Sequence, residues 1–162
     1  MISVEEYNQA AKEYTRSVFR FLHKSLKEKE AVEDIVQDCY LKLWQNRDRI
    51  NPQKTKSWLF SVAHHAMLDY RRTAARKVPL DGAGPIPSVF QRNDFDAKAI
   101  LERALDELPP VQKSIVLLRD LEGYDYREIG EILGLNASQV KVYLFRARQQ
   151  VKNAIKELAN VL

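Results

Sequence analysis

Apolar residues along this chain recur every three or four positions and no segment alternates singly, so the pattern predicts helices and no strands. Val4, Tyr7, Ala11, Tyr14, Val18, Phe21 and Leu22 mark a first helix, with Ser3 and Glu6 at capping-box spacing. Ala31, Ile35, Cys39 and Leu43 form one stripe of a second helix over 30–45. Leu59, Ala63, Ala66 and Tyr70 do the same for a third over 56–76. Three amphipathic helices can close a small core. The pattern then stops. Residues 77–94, KVPLDGAGPIPSVFQRND, carry Pro79, Gly82, Gly84, Pro85 and Pro87, a density of breakers that no helix survives. A structureless stretch of this length reads as a linker rather than a loop inside a compact domain. The expected fold class is all-α: two small helical domains, 1–77 and 95–162, joined by a flexible linker over 78–94.

Helical periodicity resumes near Phe95. A helix over 96–107 stops before Pro109. The next runs over 111–121, opened by Pro110 at a tolerated first-turn position and closed at Gly123. A third covers 126–133, with Asp125 at its N-cap and Glu128 three residues on. Gly134 ends it, and Asn136 caps a fourth helix with Gln139 at the capping-box position. A short helix, a glycine-containing turn and a longer helix make a helix-turn-helix pattern. Gly130 supplies a small residue where the two helices must approach closely.

The fourth helix can be divided into faces. At about 100° per residue, Val140, Leu144, Ala147 and Val151 fall in one narrow stripe that must face the core. Opposite lie Ser138, Val142, Phe145 and Gln149, with Lys141 and Arg148 on one flank and Gln139 and Arg146 on the other. A DNA major groove offers base edges at its floor and phosphates on its walls. A ridge with a neutral crest and cationic shoulders suits that layout. The competing account of an exposed Val142 and Phe145 is a protein interface, and the shoulders favour DNA.

Charge adds a second location. The 162 residues are 45% hydrophobic and 30% charged, as a globular chain requires, and the net charge is only +4. Its distribution is uneven. Residues 136–156 carry five cations and no acid, and residues 54–77 carry Lys54, Lys56, Arg71, Arg72, Arg76 and Lys77 against Asp69 alone. The region between is neutral to acidic. Two basic islands mark two places for a polyanion, unless both are merely solvated helices.

With Leu59, Ala63, Ala66 and Tyr70 turned inward, the third helix shows Ser61, His64, His65, Leu68, Arg71 and Arg72 outward, with Trp58 and Asp69 at its flank. Lys56 precedes this face and Arg76 follows it; the loop before adds Arg47, Arg49 and Lys54. Cations among hydroxyl and imidazole groups, next to an aromatic, suit a nucleic-acid strand with partly exposed bases. On the second helix, Asp34, Gln37, Asp38, Leu41, Trp44 and Gln45 share the non-core side. Such a face fits protein docking around an aromatic anchor; it equally fits a solvated face with Trp44 tucked under the next loop.

Catalysis and metals find little support. His64 and His65 are adjacent, so their side chains diverge by about 100° and cannot easily share an ion. His65 and Asp69 stand at i, i+4 without a matched Ser or Cys nucleophile motif. Cys39 is the only cysteine and sits in an apolar stripe, so neither an intrachain disulfide nor a Cys-rich zinc site forms. No cofactor is expected. The N-terminus lacks an apolar h-region and no run of about 18 apolar residues occurs, so the chain reads as soluble and cytoplasmic without membrane insertion.

The segments EDIVQDCYLKLW, WLFSVAHHAMLDYRR, a proline-containing linker, LDELPPVQKSIVLL, YDYREIGEILGL and VKVYLFRARQQV, in that order, resemble the bacterial RNA polymerase sigma factors of the extracytoplasmic-function class, group 4 of the sigma-70 family. The resemblance covers nearly the whole chain. It implies that domain 1–77 is region 2, whose second helix docks through Asp34, Gln37, Asp38, Leu41, Trp44 and Gln45 on the β′ clamp coiled coil of core polymerase. Its third helix would read the −10 element and hold a flipped-out base through Lys56, Trp58, Ser61, His64, His65, Asp69, Arg71, Arg72 and Arg76. Domain 95–162 would be region 4, reading the −35 element through Ser138, Gln139, Lys141, Val142, Phe145, Arg146, Arg148 and Gln149. The implied partners are core RNA polymerase, including its β subunit, promoter DNA and an anti-sigma factor, through which the protein could be held at the inner membrane. His65 stands where the family usually has Asn, and Gly130 where Ala is usual. The alternatives are a stand-alone helix-turn-helix regulator and a helical adaptor whose basic faces are only solvated.

Overall fold

The computed structural model describes residues 1–77 and 96–160; the expected linker over 78–94 lies outside them. Among the described residues every regular element is helical: α1 (Val4–Leu26), α2 (Lys29–Gln45), a short 3-10 turn (Pro52–Lys54), α3 (Thr55–Lys77), α4 (Ala97–Asp106), α5 (Pro110–Val116), α6 (Tyr126–Leu133) and α7 (Ala137–Asn160). The capping signals act as the sequence implies. Ser3 Oγ accepts from Glu6 N–H at 3.0 Å while the Glu6 carboxylate accepts from Ser3 N–H at 3.1 Å, and Asp125 and Glu128 do the same at α6.

Two local expectations need correction. The helix expected over 111–121 is α-helical only to Val116 and then widens into a π-helical turn, Leu117–Leu121. Glu122 N–H reaches back to the Leu117 carbonyl at 3.0 Å, and Gly123, at φ +77, turns the chain away. Only a residue without Cβ holds that φ at no cost. At the other end, Val4 is exposed and Ile2 is the buried anchor, its N–H donating to the Arg47 carbonyl at 2.9 Å. The helical period could not place Ile2, which precedes the helix.

α1, α2 and α3 pack on one another around Phe21, Leu22, Leu43, Leu59 and Phe60, all fully buried. Ile115, Leu118, Ile129, Ile132 and Leu144 fill the space among α5, α6 and α7. Burying each of these side chains is worth about 1.5–3 kcal/mol. The two groups also pack together, α1 on α5 and α3 on α6, so the buried residues form one continuous cluster.

Around the apolar contact of Phe60 with Tyr124, the seam between the groups carries polar ties. Arg20 holds both Glu122 carboxylate oxygens at 3.0 and 3.1 Å, Lys54 meets Glu131 at 2.9 Å, and Lys24 meets Glu102 at 3.5 Å. Lys113, nearly buried, donates to Asp106 at 2.7 Å and to the Lys24 carbonyl at 2.5 Å, satisfying an orphan acceptor at the end of α1. Lys27 also pairs with Asp106. Burial alone would raise the Asp106 carboxyl, but these two ammonium groups hold it below its ordinary range. Burial lowers the Lys113 ammonium, with Asp106 opposing that shift.

Candidate nucleic-acid interface

α7 begins where Asn136 Oδ1 accepts from Gln139 N–H at 2.8 Å and Asn136 N–H donates to Gln139 Oε1 at 3.0 Å. Val140, Leu144 and Ala147 are buried and Val151 is half-buried, which fixes the helix's rotation. Ser138, Gln139, Lys141, Val142, Phe145, Arg146, Arg148 and Gln149 are all exposed, Val142 at 46% and Phe145 at 66%. The crest is thus open and neutral, with Val142 and Phe145 apolar at its centre. Gln139 has its oxygen committed to the cap, which leaves its NH₂ to donate outward. Arg148 donates to Asp120 at 2.7 Å, so one shoulder cation is drawn toward the π-helical turn. The approach of α6 to α7 depends on Gly130: a Cβ there would lie 2.4 Å from the Leu135 carbonyl oxygen. Gly134, at φ +73, makes the turn.

On α3 the expected outward face is split. His65, Asp69, Arg71, Arg72 and Arg76 are exposed, and Lys56, Trp58 and Ser61 are half-buried. His65 Nδ1 lies 2.7 Å from the Ser61 carbonyl; a carbonyl only accepts, so Nδ1 carries the proton and Nε2 remains for an outside partner. Asp69 is engaged by Arg72 at 2.6 Å rather than by His65. His64 is the correction. Expected outward, it is 2% exposed, and its Nδ1 shares a 2.8 Å hydrogen bond with Ser114 Oγ of α5. Burial, and secondarily the neighbouring His65, lowers its pKa from 6.5 to about 4. Phe60, one turn earlier, meets Tyr124 edge-on at 5.6 Å, and Lys56 Nζ lies 4.7 Å from the same ring centre. Single-stripe arithmetic fails on α3 because α1 and α2 cover one side and the second group covers another. Ser114 and Tyr124, the residues that do this, carry no local signal of it.

On α2, Asp34, Gln37, Asp38, Leu41, Trp44 and Gln45 are all exposed, Leu41 at 54% and Trp44 at 40%. Trp44 is braced without being covered. Tyr7 meets it edge-on at 5.1 Å and the Arg47 guanidinium sits 3.5 Å from its ring centre. Behind this face Cys39 is buried, which pushes its thiol up to about 11 and makes it an inert core residue. Among the described residues no group of His, Cys, Asp or Glu is gathered to hold a metal ion, and no helix is long and apolar enough to cross a membrane.

The chain is similar to known proteins in sequence and in fold. The family described as Sigma-70 region 2 matches residues 10–77, and that described as Sigma-70, region 4 matches residues 98–151. The ECF RNA polymerase sigma factor SigM of Bacillus subtilis (strain 168) is 30% identical over 145 residues, which span 86% of this chain and 88% of that protein. Among solved structures, the sigma factor RpoE in its co-crystal with the anti-sigma factor NepR from Bartonella quintana superposes with a TM-score of 0.74 at 21% identity, covering 94% of this chain and 98% of that one. CnrH, solved with the cytosolic domain of CnrY, gives 0.71 at 20% identity over 93% of this chain and 88% of that one. At those identities the two structures speak to the fold, whereas the matched regions and the SigM similarity speak to descent. The chain belongs to the extracytoplasmic-function sigma factors of the sigma-70 family.

Proposed function

We propose that this protein binds core RNA polymerase and directs it to particular promoters, with α7 reading the −35 element, α3 and the loop before it engaging the −10 element, and α2 docking on the β′ clamp coiled coil. The observation that carries the reading is the presence, on separate exposed faces of one chain, of a groove-suited ridge and an acidic-aromatic docking face. A stand-alone regulator has no use for the second. In this reading residues 1–77 form the polymerase- and −10-binding unit and 95–162 the −35-binding unit, with 78–94 between them.

No covalent bond is made or broken by the chain itself. Its work is binding: phosphate contacts from Lys141, Arg146 and Arg148 set register on the duplex, and groups along the α7 crest meet base edges. At the −10 element, unstacking a base costs a few kcal/mol, and capture against Trp58, Ser61 and His65 offsets that cost as the strands part. The protein acts in the bacterial cytoplasm, and an anti-sigma factor covering these faces controls its access to polymerase. Transcription in vitro from genomic promoter fragments provides the test. Specific transcripts are expected only when both this chain and purified core enzyme are present. Failure to bind core, together with tight operator-like binding by the chain alone, would overturn the reading in favour of an independent regulator.

A further inference from the structure

We infer that Gln139 is a donor-only reader of the −35 duplex: at one position it selects a keto base, guanine or thymine, and rejects the amino bases adenine and cytosine. The inference rests on the assignment of α7 to the −35 element and names the base edge that one residue of that helix takes.

A glutamine side chain ordinarily offers an acceptor as well as donors, and the contact that uses both is the bidentate one with adenine N6 and N7. Gln139 is held so that only its donors face out. At the start of α7 the Asn136 backbone N–H lies 3.0 Å from the Gln139 side-chain amide; a backbone N–H only donates, so the atom it meets is Oε1. Asn136 Oδ1 accepts from the Gln139 backbone N–H at 2.8 Å and closes the box from the other side. With Oε1 fixed on the cap, the planar amide turns Nε2 away from it, and the residue is exposed.

The surroundings supply no carboxylate or free carbonyl to reverse this polarity. Gln139, Val142 and Arg146 follow one another at i, i+3 and i+7 and line one shallow recess at the N-terminal end of the ridge, with Asn136, Ser138 and Tyr143 beside them. Arg146 only donates, Val142 does neither, the hydroxyls adapt to either role, and the Asn136 oxygen is taken by the box. Residues 136–156 contain no acid. A base edge that meets this recess must therefore bring acceptors. Guanine brings O6 and N7 and thymine brings O4, whereas cytosine N4 points a donor at a donor and adenine sets its N6 amino group beside N7. Turning the Gln139 amide over to receive an amino group would place NH₂ against the Asn136 N–H and break the cap bond, so the selection is built into the helix start.

The box also supplies the test. Glutamate is an ordinary partner in a capping box, so Gln139→Glu keeps one oxygen on the Asn136 N–H and turns a second oxygen outward in place of Nε2. The helix start is retained while the outward donor becomes an acceptor. Holoenzyme reconstituted from core enzyme and the full chain selects from promoter duplexes with a randomised −35 element. The parent should show a position at which G or T on one strand is favoured over A or C by about fivefold to tenfold. Gln139→Glu should invert that position to A or C on the same strand, and should bind more weakly throughout because its carboxylate repels phosphate. Gln139→Ala should level that position alone. Thermal unfolding of Gln139→Glu should match the parent, which separates reading from capping. An identical selected sequence for the parent and Gln139→Glu overturns the inference and leaves the sigma reading intact. So does a loss of preference spread evenly over the element in both variants, which assigns Gln139 to the cap alone. Selection of no −35 sequence by the parent holoenzyme removes the assignment of α7 and the inference with it.

Discussion

A methyl group at position 130 would lie 2.4 Å from the Leu135 carbonyl oxygen, closer than real Cβ contacts come. That oxygen cannot withdraw freely, because the Leu135 N–H donates to the Gly130 carbonyl at 2.9 Å and fixes the turn from the same residue. Gly130→Ala should therefore cost about 1–3 kcal/mol, as overpacking does, and should tilt α6 against α7. Thermal unfolding of the variant checks the first effect, and reduced affinity for −35 DNA with Asn136 and Gln139 intact checks the second. Unchanged melting would mean that the turn relaxes without strain. The need for a small residue was legible because glycine inside a helix is costly unless something approaches it. His64 was not legible. Its neighbours on α3 carry the same polar signature whether they face water, nucleic acid or, as here, the far half of the chain, and Ser114 lies 50 positions away.

Elements whose partners are local were readable to within a residue or two. α7 has one covered side and one open side, so its period, its Asn136 cap and its gap in acidic residues all describe the same object. The crest this leaves has a specific consequence. Exposed Val142 and Phe145 have no hydrogen-bonding groups, and the apolar feature on a major-groove floor is the thymine methyl. Selecting −35 sequences with the reconstituted holoenzyme, then replacing thymine by deoxyuridine, should weaken binding by about 0.8 kcal/mol per contacted methyl, a factor of about four. Phe145→Ala should bind less tightly and lose most of that methyl dependence; equal dependence in both proteins would place Phe145 off the bases. α2 was legible as a face but not in its details, since the bracing of Trp44 by Tyr7 and Arg47 comes from two other segments. As an exposed and pre-positioned aromatic, Trp44 should act as an anchor. Trp44→Ala is expected to lower affinity for core polymerase by about 2 kcal/mol, the size of an interface hot spot, while the helical CD spectrum persists. A variant that binds core as tightly as the parent would move the docking site elsewhere.

At the scale of the whole molecule, the packing of the two helical groups depends on pH through His64. The closed chain keeps this imidazole neutral, with its pKa lowered by burial from 6.5 to about 4. An open chain returns it to water and to its ordinary value. Above about pH 6.5 neither state carries the proton, and the closed arrangement has its full stability. As pH falls from there, the open chain binds the proton first, and closure weakens progressively until about pH 4, below which both states are protonated and no further loss accrues. At about 1.4 kcal/mol per pH unit across that interval, the total approaches about 3 kcal/mol. Ser114 of α5 contacts the ring, and a hydroxyl does not titrate here. On α3 itself only His65 adds to the shift, in the same direction. The seam carboxylates Asp106 and Glu131, held below their ordinary range by paired cations, weaken closure in the same direction, but only as pH falls through the ordinary carboxylate range and below it. Distance between fluorophores placed on exposed positions of α2 and α7 should therefore lengthen on acidification between about pH 6.5 and 4. In His64→Gln, whose amide can still bond Ser114 but cannot titrate, the distance should stay constant over that interval. The same expansion in both proteins would assign acid opening to the carboxylate ion pairs and remove His64 as its cause.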